Sequence, residues 1–408
     1  MNNYFVFDSL NIIFLAVLIL VTTGVVIYQG KRNWKYNLMF FLFFISMVGA
    51  ILSNHLGLTW VFVEATTLTS AYLIYQNKTE YSLEATWKYV FLCSIGISLA
   101  FVGIILLLIG SNVVNSLFYN NLYANATIIE PFWLKLSYAF ILVGFGTKVG
   151  LAPVHFWLPD AHAEAPSPIS AMLSATLLNS AFIVILRYTR LMDLAGLFNY
   201  ARILLLTMGF LSVFITAVYV FKIGNYKRML AYSSIENMGI IAIGIASGGV
   251  GVFAAIFHLI AHSLIKSSFF LTAGNILHIF KTKEVLKVQG LIETDPKTGW
   301  LWVCCGLFIL GAPPSPIFFS KFLIIKQLFI DKHLVLAGLF LFLITVVAYG
   351  ILRVVVKMSF SPKITNKRIK MSIRNYLPQI SLLLLVLVLG FYIPNWLYHL
   401  IEEAIKCI

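Results

Sequence analysis

GAPPSPIFFSKF, residues 311–322, decides how this chain is arranged. It lies inside an apolar run from 299 to 330, yet it holds three prolines and a lysine. Proline has no backbone N–H, and inside a helix it breaks or kinks the rod. The run is therefore either two spans joined by a turn or one span interrupted in mid-membrane. Composition sets the frame for that choice. Of 408 residues, 60% are apolar and 11% are charged, against about 25% charged in a soluble domain. Apolar runs of about 20 residues, long enough to cross a bilayer as helices, recur along the chain. The sequence does not carry the alternating segments of about 10 residues that build a membrane β-barrel. It reads as an all-α polytopic membrane protein.

About twelve transmembrane helices are expected, near 9–28, 36–54, 56–76, 88–110, 133–158, 168–189, 201–222, 229–247, 250–279, 299–330, 335–356 and 377–400. Cytoplasmic loops carry an excess of Lys and Arg. With the N-terminus outside, the inner loops hold Lys31, Arg32, Lys35, Lys78, Lys222, Lys227, Arg228, four lysines from 281 to 297 and the cluster from Arg353 to Arg374. The outer loops hold only Arg187, Arg190, Arg202, Lys332 and Lys406. Splitting the run at Gly311–Pro316 would place the 353–374 cluster outside, against the charge rule. One interrupted span is expected instead, with both termini on the outer side of the cell inner membrane. The net charge of +14 then reflects loop asymmetry, and the expected partner is the lipid bilayer, not nucleic acid.

A second interruption lies in FGTKVGLAPVHFWLPDAHAEAPSPIS, residues 145–170, where Gly150 and Pro153 follow Lys148. The two breaks are five spans apart. Five is odd, so the halves run in opposite directions through the membrane. The expected architecture is two inverted five-helix repeats, each with a broken helix, as in transporters. The chain divides into a leading helix at 1–35, a first repeat at 36–190, a second at 200–356, and a basic cytoplasmic loop with the last helix at 357–408.

Charged side chains inside spans are costly and rare, so each is a functional candidate. Glu64 lies mid-span, Lys148 precedes the first break, Lys321 follows the second, and Lys266 shares a span with His258 and His262. The last three fall at i, i+4 and i+8, on one helix face. Paired histidines at that spacing can also hold a metal. An adjacent lysine repels a cation and no third ligand pattern accompanies them, so no metal is assigned. Lys135 and Lys326, nearer span ends, read as snorkelling side chains. Glu236 suits either a functional role or a structural one as a partner of Lys227 or Arg228. His155, Asp160, His162 and Glu164 suit proton access from the inner side or a solvated loop. Burial disfavours the charged form of a lysine while a nearby carboxylate favours it, and histidine titrates near neutrality. These residue types together point to proton transfer, with waters filling the pockets that broken helices open. Four cysteines without C-x-x-C spacing read as buried apolar residues.

Three stretches carry a resemblance: KVGLAPVHFWLPDAHAEAPSPISAML, NYKRMLAYSSIENMGI and FHLIAHSLIKSSFFLTAGNIL. They resemble the antiporter-like, proton-conducting subunits shared by respiratory complex I, group 4 membrane-bound hydrogenases and Mrp-type cation/proton antiporters. WVFVEATTLTSAYL, EATWKYVFLCSIGI and PISAMLSATLLN are most similar to the hydrogenase-4 component F type. The resemblance spans about 36–356. It implies a relay in which Glu64 and Lys148 belong to the first repeat, Lys266 with His258 and His262 is central, and Lys321 is the terminal exchange group. That last position is glutamate in some relatives. Several relatives carry a lysine or histidine where this chain has Asn179, which cannot hold a proton at neutral pH. Relatives also have about two further leading spans, and a long lateral helix in the distal subunit of complex I.

The expected function is a proton-translocating membrane subunit of a larger redox-driven complex, related to NADH-quinone oxidoreductase. It would be a non-catalytic part of an oxidoreductase, without its own cofactors, partnered by other membrane subunits and by soluble subunits that do the redox chemistry. The alternatives are a cation/proton antiporter, an inorganic-carbon uptake module with a soluble partner, or a non-conducting membrane anchor.

Overall fold

The computed structural model describes residues 3–111, 116–222, 224–362 and 371–408. Lys363, Lys367, Arg368 and Lys370 of the expected basic loop lie outside them. The described chain is helical. Its long helices are α1 (Ser9–Gln29), α2 (Trp34–Leu52), α3 (Leu56–Ile74), α4 (Glu80–Gly110), α5 (Pro131–Val149), α6 (Trp157–Glu164) and α7 (Ser167–Leu194). They continue as α8 (Phe198–Tyr219), α9 (Tyr226–Ser247), α10 (Gly249–Phe280), α11 (Pro296–Leu310), α12 (Pro316–Ile330), α13 (Leu334–Phe360), α14 (Leu377–Phe391) and α15 (Asn395–Ile405).

Each expected span is occupied by a helix or a broken pair. Among the described residues, nine helices are long and apolar enough to cross a membrane alone. Outside the nine are α3, which carries Glu64 with Thr66, Thr67, Thr69 and Ser70, the divided pair α11/α12, and α14. The last expected span, 377–400, is corrected. It bends by 83° between α14 and α15. Pro394 caps α15 from outside and cannot continue α14, so the chain turns there. α15 then packs on α1, and Ser9 Oγ donates to Glu403 Oε2 at 2.9 Å. The two ends of the described chain therefore lie at the same end of the bundle.

The two breaks have the same local chemistry. α5 ends at Gly150 with φ 79°, and α11 ends at Gly311 with φ 88°. Leu151 N bonds Gly146 O at 2.9 Å, and Ala312 N bonds Leu307 O at 3.0 Å. Both are glycine C-caps of the Schellman type, in which a left-handed residue lets the following N–H groups fold back on the last turn. Pro153, and Pro313 with Pro314, then prevent immediate resumption. The chain restarts as α6 and α12.

α10 is the hub. It packs against α1, α7, α9, α11, α12, α14 and α15, and its polar residues from His258 to Thr272 are buried. α7 contains a π turn at Leu173–Leu177, just before Asn179. Such turns free backbone groups and often mark functional sites. α4 and α5 approach closely through small residues. A Cβ at Gly144 would lie 2.6 Å from Gly96 O and from Ala100 N, both backbone atoms that cannot yield. We expect Gly144→Val to lower stability by about 1–3 kcal/mol through overpacking. Gly338→Ala on α13, with nothing within 4 Å of the added carbon, is the neutral control. Thermal unfolding in detergent checks both, and equal melting points would contradict the close packing.

Candidate functional site

A band of buried polar side chains runs through the middle of the bundle. At one end, Lys148 occupies the last turn of α5 and is fully buried. Its Nζ donates to Thr67 Oγ1 at 2.8 Å and to Tyr89 OH at 2.7 Å. The ammonium also sits 4.7 Å from the centre of the Tyr89 ring, a favourable cation–π distance. Thr67 Oγ1 donates in turn to Glu64 Oε2 at 3.1 Å. Ser94 Oγ donates to the other carboxylate oxygen at 2.8 Å. One hydroxyl thus separates lysine from glutamate. A hydroxyl both donates and accepts, so Thr67 can pass a proton between them. Tyr89 OH reaches on to Ser70 Oγ at 2.6 Å.

The middle of the band lies on α7, α9 and α10. Lys266 is fully buried, and its Nζ donates to Leu230 O at 2.6 Å. Asn179 Nδ2 donates to Ala175 O, in the π turn, and to Ser263 Oγ on α10, each at 2.8 Å. Asn179 therefore ties the first repeat to the hub beside Lys266. His258 uses both ring nitrogens, with Ser320 Oγ at 2.8 Å and Asn237 Oδ1 at 2.9 Å. A metal would have to displace one of these bonds. His262 is buried, and neither ring nitrogen has a protein partner among the described residues. Buried polar groups rarely stay unpaired, and internal water is the usual partner.

At the far end Glu236 sits one helix away from Lys321. Glu236 Oε1 and Lys321 Nζ are 3.4 Å apart. Lys321 also donates to Leu310 O at 3.3 Å, a carbonyl freed by the break. The lysine therefore both pairs with an acid and caps the end of α11. Of the two readings left open for Glu236, the structural one as a partner of Lys227 or Arg228 is not the pairing found. Lys227 Nζ donates to Ala165 O, and Arg228 pairs with Asp160 at 2.6 Å. Glu236 stands nine residues beyond Lys227, about 13 Å along the helix, at mid-span. Its second oxygen has no protein partner among the described residues, and Lys266 lies within electrostatic reach.

The four residues expected near the inner side separate. Asp160 bridges Lys88 at 3.1 Å and Arg228 at 2.6 Å, and Glu164 pairs with Lys283 at 2.7 Å. His155 is buried at the floor of an open cavity of about 540 Å³, lined also by Asp160, Lys222 and Arg228. His162 is wholly buried in the core. Lys326 is exposed, and Lys135 is half-buried 5.9 Å from the Tyr200 ring centre.

Sequence reasoning misses Thr67, Tyr89 and Ser94. The i, i+3 spacing of Glu64 and Thr67 on one helix is a signal for the first. It also gives Glu236 too little weight. In element order α9 stands before its broken helix as α3 stands before the first one, and each carries one mid-helix glutamate, Glu236 and Glu64.

The family model for "NADH:quinone oxidoreductase/Mrp antiporter, TM" matches residues 53–347. A hydrogenase-4 component F homolog from Methylacidiphilum infernorum is 35% identical, over 98% of this chain and 88% of its own length. One component of a Na(+)/H(+) antiporter from Alkalihalophilus pseudofirmus is 26% identical, over 89% of this chain and 74% of its own. Among solved structures, a chain of the archaeal membrane-bound sulfane sulfur reductase superposes with a TM-score of 0.91 at 27% identity, covering 98% of this chain and 82% of that one.

Proposed function

This chain belongs to the NADH:quinone oxidoreductase/Mrp antiporter family of transmembrane subunits, and we propose that it moves protons across the membrane as one subunit of a larger redox-driven complex. The observation that carries this reading is the repeated acid–lysine arrangement. Each inverted half places a glutamate beside the lysine of its broken helix: Glu64 with Lys148 through Thr67, and Glu236 with Lys321 directly. Between them lie Asn179, Lys266 and two buried histidines on α10.

The energetics suit transfer. Unit charges about 4 Å apart attract by about 4 kcal/mol at an effective dielectric near 20. Making or breaking such a pair therefore supplies enough energy to pull a proton from one station to the next. Protons come from the inner side, where His155 floors a cavity, and pass through water and hydroxyl groups to Lys266. Glu236 receives them and Lys321 releases them outward. Glu64 and Lys148 exchange a proton through Thr67, and the charge that shifts between them times the step. Both termini lie outside the inner membrane, with the basic loops in the cytoplasm.

Redox chemistry belongs to partner subunits in this account. The hydrogenase-4 component F relative supports a complex of hydrogenase type. Purifying the native complex tests this. We expect soluble redox subunits and further membrane subunits to co-purify, with proton release coupled to electron transfer. A chain isolated without redox partners that exchanges Na⁺ for H⁺ would overturn it.

A further inference from the structure

Two consecutive cations at the start of α9 behave differently. Arg228 points outward and pairs with Asp160 at 2.6 Å. Lys227 is fully buried. Asn225 caps this helix end by accepting from Lys227 N at 2.9 Å, which fixes the first turn. Its Nζ donates to Ala165 O at 2.5 Å, on the link between α6 and α7. That is one acceptor among the described residues for an ammonium with three N–H donors.

The position is strategic. Glu164, next to Ala165 in the chain, pairs with Lys283 at 2.7 Å, and their side chains are 17% and 25% exposed. Both are within electrostatic reach of Lys227. His162 is fully buried, with no protein partner for either ring nitrogen among the described residues. Both Lys227 and Lys266 are within electrostatic reach of His162. His162 and Lys266 also share one wall: the Phe270 ring centre is 5.2 Å from that of His162 and 5.9 Å from Lys266 Nζ. His262 is within reach of His162 as well.

We propose that Lys227 is a proton-carrying station, which takes protons from the inner surface at Glu164 and Lys283 and hands them through His162 to Lys266. This rests on the relay reading above and adds an access branch to it, distinct from the cavity at His155. The unpaired nitrogens of His162 need polar partners, and water bridging to Lys227 and Lys266 supplies them. Each hop moves one proton and leaves each carrier ready for the next. A lysine suits this because its proton can leave, whereas arginine stays protonated in proteins.

The competing role is a pin that holds the α6–α7 link by capping Ala165 O. Two substitutions separate the roles. Arginine keeps the charge and the donor but cannot release a proton. Histidine can release one but is too short to pin the link well. The test uses the intact complex in proteoliposomes, with Lys148→Met as the control for the relay itself. We expect Lys227→Arg to assemble normally and to lower proton transport roughly tenfold or more, with Lys227→His retaining more transport than the arginine variant. Wild-type transport in Lys227→Arg, or arginine outperforming histidine, would overturn the proposal while the relay stands, provided Lys148→Met is inactive. Wild-type transport in Lys148→Met would remove the relay and this branch with it.

Discussion

Replacing Lys148 by methionine is expected to lower proton transport by at least about 100-fold, the scale on which a positioned proton carrier acts, while the protein still inserts and assembles. Methionine fills similar apolar volume but carries no proton. Tyr89, Thr67 and Ser70 remain beside it, and a hydroxyl chain alone passes a proton only between groups that can gain and lose one. Glu64→Gln should fall with it, because glutamine removes the acid but keeps the bond from Ser94. Thr67→Val is the finer probe. It leaves both charges and deletes the one hydroxyl between them, so transport should drop to an intermediate level. Quenching of a pH-sensitive dye in proteoliposomes gives the rates. Undiminished transport in Lys148→Met would remove the first half of the site.

The second large effect is expected at the Glu236–Lys321 pair, whose charged atoms are 3.4 Å apart and buried. Lys321→Glu sets a second carboxylate against Glu236. Two carboxylates sharing a buried site cannot both ionise, so outward release should fail, again by about 100-fold. Glu236→Lys fails for the mirrored reason. The double variant, Glu236→Lys with Lys321→Glu, restores one acid and one base and should recover a substantial part of the activity. Recovery in the double variant is the diagnostic result, since two independent lesions would add. A fully active Lys321→Glu single variant would show that the pair has no functional meaning.

That second expectation reverses what the sequence suggests. The resemblance implies glutamate at this position in some members of the family, and a glutamate can exchange protons, so Lys321→Glu looks tolerable until Glu236 is placed beside it. The contact depends on how α9 meets α12, and no local pattern in either segment carries it. The breaks are legible because glycine and proline act on their own backbone: Gly150 and Gly311 take the left-handed conformation at little cost, and the prolines that follow stop the helix from resuming. Loop charge points to the single interrupted span at 299–330 for a similar reason, since each lysine reports its own side of the membrane. Thr67 and Tyr89 are harder. Threonines and tyrosines are frequent in this chain, and only the geometry around Lys148 Nζ selects these two. Lys227 reads as a loop cation in the sequence because Arg228 beside it is one. Its burial follows from the way the α6–α7 link folds over the start of α9.

The central claim is that this chain carries protons instead of merely supporting the subunits that do. It is tested most directly by the number of protons released on the outer side per electron transferred, measured on the intact complex in proteoliposomes. The comparison is between wild type and a variant carrying Lys148→Met with Lys321→Met. The account predicts a lower proton-to-electron ratio in the variant, with the redox subunits still turning over in the presence of an uncoupler. An unchanged ratio in a fully assembled variant complex would contradict it.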